Sequence, residues 1–191
     1  MVDVGLLTAI AQAAMEGDTL SPEISKSSRY KHWISIEDEK RCLDCENNHG
    51  KIWEIVEIPF PFPPVHPFCR CRIENMNAIK AGTATIDGLS GADWSLKFKG
   101  ALPENYVDKK EALQQGWKQG KWPSNFLPGK TIAGGVYCND DGRLPTVPGR
   151  IWYEADINYK TGKRNSRRIL WSNDGLIFVT YNHYETFYEI A

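Results

Sequence analysis

Apolar and polar positions change rhythm along the chain. At the start, MVDVGLLTAIAQAAMEGD places Leu6, Ile10 and Ala13/Ala14 at helical spacing, which predicts an amphipathic helix ending near Gly17. From 102 to 117, LPENYVDKKEALQQGW predicts a short helix, with Asp108 as N-cap, Glu111 completing a capping box and Gly116 as the stop. After the turn-rich GKWPSNFLPGKTIAGG come strand patterns: RIWYEADI, RRILWS, LIFVTY and ETFYEI, separated by NYKTGKRN, NDG and NHY. Helices followed by strands predict an α+β fold with a twisted antiparallel β-meander. Between the two regions, AGTATIDGLSGADW is rich in small residues and has little apolar periodicity, which predicts a linker over 81–96. The chain then divides into a first unit, 1–80, and a second, 97–191.

Composition sharpens that division. Residues 1–96 hold 9 Lys+Arg against 14 Asp+Glu, and residues 97–191 hold 14 against 10, so a formal net charge of −1 conceals a basic second half. A basic half is the one suited to meet a polyanion. Four of the five cysteines, Cys42, Cys45, Cys69 and Cys71, fall in the first unit, and Cys138 lies in the second. No apolar run is long enough to cross a membrane. The apolar start carries Asp3 and no preceding Lys or Arg, so it lacks the basic region of a secretory signal peptide.

The segment YEADINYKTGKRNSRRILW gathers Lys163, Arg164, Arg167 and Arg168 beside Glu154. Strand parity puts Trp152, Glu154 and Asp156 on one face, and gives Arg164, Ser166 and Arg168 a common parity with Arg167 pointing away. If the two strands pair, one face brings a carboxylate beside two guanidiniums. A cross-strand ion pair is the simplest use of such residues. His183, at a tip between the last two strands, adds a second titratable group. A carboxylate, a loop histidine and clustered cations together supply a base, an acid and charge stabilisation for breaking a phosphodiester.

From about Leu102 to Ile190 the chain resembles the barnase-like, guanyl-preferring bacterial ribonucleases. The resemblance rests on LPENYVDKKEALQQGW, PGKTIAGG, NDDGRLP, GRIWYEADINYKTGKRNSRRILWSNDGLI and HYETFYEI, which occur in family order. It implies the microbial ribonuclease fold and endonucleolytic cleavage of single-stranded RNA through a 2′,3′-cyclic phosphate, with no cofactor for catalysis. It further implies Glu154 as general base, His183 as general acid, Lys109, Arg164 and Arg168 as cations around the phosphate, and Tyr184 beside the acid. Asn139, Asp141 and Ser166 become substrate-binding positions, and Asp174 a structural one. The chain departs from the family pattern at Asp140, where an arginine is usual, and at Asp141, where a glutamate is usual. An acidic inhibitor resembling barstar is the partner that the resemblance implies, alongside RNA.

In the first unit, CLDC and HPFCRC set out Cys42, Cys45, His66, Cys69 and Cys71. Four thiolates, or three with His66 or His49, suit a tetrahedral structural zinc; disulfides in an oxidising compartment are the alternative. YKHWISIEDEKRCLDCENNHGKIW and PPVHPFCRCRI resemble the minor head proteins of phage head morphogenesis. Such a segment before a nuclease implies a delivered or phage-linked toxin. The second reading is a phage structural, zinc-binding interaction protein whose tail binds RNA without cutting it.

Overall fold

The computed structural model describes residues 20–25 and 28–191, so the helix expected over 1–17 lies outside the described residues. Fourteen elements matter here. The first unit contributes β1 (Ile24–Ser25), β2 (Tyr30–Ile34), α1 (Leu43–Asn48), β3 (Ile52–Glu54), β4 (Arg72–Asn75) and β5 (Ala78–Ile79). The second contributes α2 (Ala92–Lys99), β6 (Tyr106–Asp108), α3 (Lys109–Gln114), β7 (Thr131–Tyr137), β8 (Trp152–Asp156), β9 (Arg168–Ser172), β10 (Ile177–Thr180) and β11 (Tyr188–Ile190). The fold is α+β, as the order of patterns predicts.

Strands β7 to β11 form the antiparallel meander, within an eight-stranded sheet of order β1-β5-β11-β10-β9-β8-β7-β6. Among the described residues only β6 against β7 and β5 against β11 run parallel. The central strands are apolar almost throughout because both faces are covered. On one face Ile169, Val179 and Ile190 pack with Ala92 and Leu96 of α2. On the other, Leu170 and Phe178 pack with Tyr30, Ile52 and Met76 of the first unit. A second sheet, of order β3-β2-β4, supplies part of that cover.

The segment expected to be a linker is instead folded against the sheet. Asp93 is fully buried, and its carboxylate accepts from the backbone N–H of Gly82 (2.7 Å) and Ala84 (3.0 Å) and from the Thr85 hydroxyl (2.8 Å). Small residues serve here for close packing, with Ala81 and Ala84 in the core. The first unit also enters the nuclease sheet directly, because β5 pairs with β11 and Ala191 N–H donates to the Ile79 carbonyl at 2.9 Å. A chain cut at 97 would therefore lose a strand neighbour and fall inside α2.

At α3, the Asp108 carboxylate accepts from Glu111 N–H at 2.7 Å, and Gly116 takes the left-handed conformation at φ 93°. Cap and stop are as the sequence predicts. Strand β6, which ends on the cap residue Asp108, is not evident in the pattern. Among the described residues no helix is long and apolar enough to cross a membrane.

Candidate active site

The register of β8 and β9 sets the centre. Asp156 stands opposite Arg168 and Glu154 opposite Leu170, so the carboxylate that meets the two guanidiniums is that of Asp156. Asp156 is 1% exposed and accepts from Arg164 Nε at 2.6 Å and Nη2 at 2.7 Å, while Arg168 Nε lies 3.0 Å from its Oδ1. Arg168 Nη1 donates to the carbonyls of Asn165 and Arg167, each at 2.7 Å. Sequence parity did not single out Asp156 because the pairing register decides which same-face carboxylate faces which cation. Arg164 and Ser166 precede β9 and sit in the irregular 157–167 connection, so parity does not govern them. Arg167 is 4% exposed.

Glu154 is half-buried, and its Oε2 accepts from the Tyr184 hydroxyl at 2.5 Å. Burial, then the hydrogen bond to Glu154, push the Tyr184 phenol well above its ordinary range, against the opposing pull of Arg168. Tyr184 therefore stays a donor at neutral pH. The His183 ring lies 4.7 Å from the Tyr184 ring, centroid to centroid, and His183 is exposed. Consecutive left-handed residues, His183 at φ 57° and Tyr184 at φ 72°, turn the loop so that both rings project together. The loop is held by His183 N–H donating to Ser166 O at 3.0 Å and Tyr184 N–H donating to Thr180 Oγ1 at 3.0 Å. Glu154 thus connects through Tyr184 to His183.

Two adjoining cavities share Lys163 and Arg164. Glu154 and Lys109 line one, and Arg168 and His183 line the other. Lys109 is the first residue of α3 and is presented there by the Asp108 cap. The bulge in β7 between Ala133 and Val136 brings the strand close to Glu154. A Cβ on Gly134 would lie 2.6 Å from both Glu154 Cγ and Glu154 O. Gly134→Ala is therefore expected to displace Glu154.

The positions expected to bind substrate are already engaged. Asn139 donates from Nδ2 to Leu144 O at 2.9 Å and accepts from Leu144 N–H at 3.0 Å, so its side chain braces the loop. Asp141 pairs with Arg143 at 3.0 Å, and Arg143 Nη1 donates to the carbonyls of Tyr184 and Glu185, each at 2.9 Å. Ser166 Oγ donates to Tyr181 O at 3.1 Å. Asp174 braces the β8 entry through Arg150 at 2.7 Å, which holds its carboxyl below the usual range.

In the first unit, Cys42 and Cys45 Sγ lie 3.2 and 3.1 Å from His66 Nε2, and Cys45 Sγ stands 3.9 Å from Cys69 Sγ. Cys45, Cys69 and Cys71 form a second group that shares Cys45 with the first. Four thiols, none of them disulfide-bonded, and the His66 imidazole supply the donor types and the spacing of a structural zinc. His49 is engaged elsewhere, with Ser35 N–H at its Nδ1 (3.0 Å) and Glu37 at its Nε2 (3.0 Å).

Residues 92–191 match the model of the ribonuclease family, and residues 5–74 match that of the phage Mu protein F like family. A ribonuclease from Heyndrickxia coagulans is 46% identical over 107 residues, which span 56% of this chain and 95% of that protein. Ribonucleases from Bacillus intermedius and Bacillus pumilus are also 46% identical over 107 residues, and the match spans 64% of their length.

Proposed function

The chain belongs to the ribonuclease family and is an endoribonuclease, and on that premise we propose that Glu154 and His183 cut single-stranded RNA by internal phosphoryl transfer. The observation that carries this reading is the Glu154–Tyr184–His183 connection at the junction of two cationic cavities. Tyr184 occupies Oε2 of Glu154, and Oε1 takes the proton from the ribose 2′-hydroxyl. The 2′-oxygen bonds to phosphorus as the bond to the 5′-oxygen breaks, and His183, as imidazolium, gives its proton to that oxygen. The products are a 2′,3′-cyclic phosphate and a 5′-hydroxyl. Water then opens the ring with the two roles exchanged.

Lys109, Arg164 and Arg168 stabilise the charge that builds on the phosphorane. Their value comes from being fixed beforehand, and Asp156 does the fixing for both arginines. Asp141 meets a guanine edge while also paired to Arg143. A non-catalytic RNA-binding tail would use the cations and leave Glu154, Tyr184 and His183 without a role. RNA digested by this protein in excess chelator should carry 2′,3′-cyclic phosphate ends that convert slowly to 3′-monophosphates. Fragments ending in 5′-phosphates would rule the mechanism out.

The first unit is proposed to hold a tetrahedral structural zinc through Cys42, Cys45, Cys69 and Cys71, or through three of these thiolates with His66. The bound metal supplies rigidity to the α1–β4 region, and no step of the cleavage passes through it. Elemental analysis is expected to find about one zinc per chain. Cys45→Ser should lose it, because Cys45 belongs to both donor groups. Chelation should lower Tm while cleavage below that Tm continues; arrest of cleavage without unfolding would contradict the assignment.

A phage-head-like module ahead of a nuclease supports the role of a delivered or phage-linked toxin, which in turn requires an inhibitor in the producing cell. The cationic groove suits a small acidic immunity protein. Complementary charge then sets the association rate, which should fall steeply as salt rises; a rate indifferent to salt would count against such a partner.

A further inference from the structure

The cavity that holds Glu154, Lys109 and Arg164 has an aromatic rim that the cleavage chemistry does not use. Trp122 lines it and is 52% exposed. Its neighbours in sequence do pack: Trp117, Leu127, Val107, Ala112 and Ile132 form a buried cluster to which Trp122 does not belong. An indole half left in solvent forgoes much of the burial available to a large apolar side chain, so packing does not account for its place.

The rim is also held rigidly. Trp117 Nε1 donates to Lys121 O at 3.0 Å, and Lys121 N–H donates to Lys118 O at 3.0 Å, which fixes the turn before Trp122. Pro123 follows, and Asn125 N–H donates to Trp122 O at 3.2 Å. Ser124 ties this segment to the far wall: its N–H donates to Tyr159 Oη at 3.1 Å, and its Oγ accepts from Gly162 N–H at 3.1 Å. Lys121 and Lys163 line the same cavity as Trp122. The result is an exposed π-face carried on a braced segment, with lysines lining the same cavity, beside the groups proposed to act on phosphorus.

We propose that Trp122 is a stacking platform for an unpaired base of the RNA substrate, one belonging to a nucleotide beyond the two joined by the cleaved linkage, with Lys121 and Lys163 facing the flanking phosphates. Every base offers a π-face, so such a subsite is tolerant of sequence and selective for single strands. It rests on the groove being the ribonuclease active site.

Cleavage of a dinucleoside monophosphate and of a hexanucleotide containing the same linkage is compared in the wild type, Trp122→Ala and Trp122→Phe. The preference for the hexanucleotide in kcat/KM is expected to fall about fivefold to tenfold in Trp122→Ala, the low end of what stacking one base is worth. The loss should be carried by KM, and Trp122→Phe should keep most of the preference. Equal losses on the two substrates, or a preference that survives Trp122→Ala, would overturn the subsite. Binding of a 2′-deoxy hexanucleotide, which has no hydroxyl to activate, separates this from the chemistry. Weaker binding by Trp122→Ala supports stacking whatever the identity of the base catalyst. Unchanged binding refutes the subsite and leaves the role of Glu154 intact.

Discussion

Glu154→Ala is expected to lower RNA cleavage by about 10²–10⁴-fold, the contribution typical of one positioned general base. Glu154 is half-buried, and its carboxylate makes a short hydrogen bond to Tyr184. Removing it leaves the Tyr184 hydroxyl to find water in an open groove, so the folded state should change little. Thermal unfolding and RNA cleavage measured on the same sample separate the two effects. A fall in rate matched by a collapse in Tm would mean that Glu154 holds the site together and does not act as the base.

Asp156→Ala, by contrast, should cost stability. Asp156 is 1% exposed and faces two guanidiniums, of which Arg168 is itself only 7% exposed in its side chain. Truncation leaves a buried positive charge without its partner, a change that costs about 3–5 kcal/mol in comparable sites. Arg164 is more open to water and adds less to this figure. For a chain of this size the expected fall in Tm is on the order of 10 °C. Activity should fall as well, because both arginines lose the anchor that aims them at the phosphate. An unchanged Tm in a calorimetric scan would show that the pair is not the keystone of the β8–β9 register.

These two carboxylates illustrate what the sequence reveals and what it withholds. Glu154 is legible through its motif, and its face through alternation. Asp156 shares that face, so only the register, which depends on the whole meander, decides that it and not Glu154 meets Arg168. Alternation also stops where a strand stops. Arg164 and Ser166 belong to a connection braced by Asn165, whose Nδ2 donates to the carbonyls of Ile157 and Asn158, each at 3.0 Å.

Local signals fared better. The Asp108 cap and the Gly116 stop involve neighbours along the chain, and both are formed. The segment 81–94 misleads because small residues serve two opposite ends, solvated flexibility and close packing. Asp93, which satisfies three donors from 82–85, is what selects packing, and its partners lie 8 to 11 residues away. Cysteine spacing foretold the cluster, but choosing His66 over His49 needed tertiary contacts: His49 is bound by Ser35 and Glu37.

The assignment of base and acid to one phosphorus can be tested with an RNA dinucleotide in which sulfur replaces the bridging 5′-oxygen. A thiolate leaves without needing a proton, so the acid becomes dispensable and the base does not. On this substrate His183→Ala is predicted to recover nearly to the wild-type rate, while Glu154→Ala stays slow. Recovery of Glu154→Ala, or failure of His183→Ala to recover, would contradict the account.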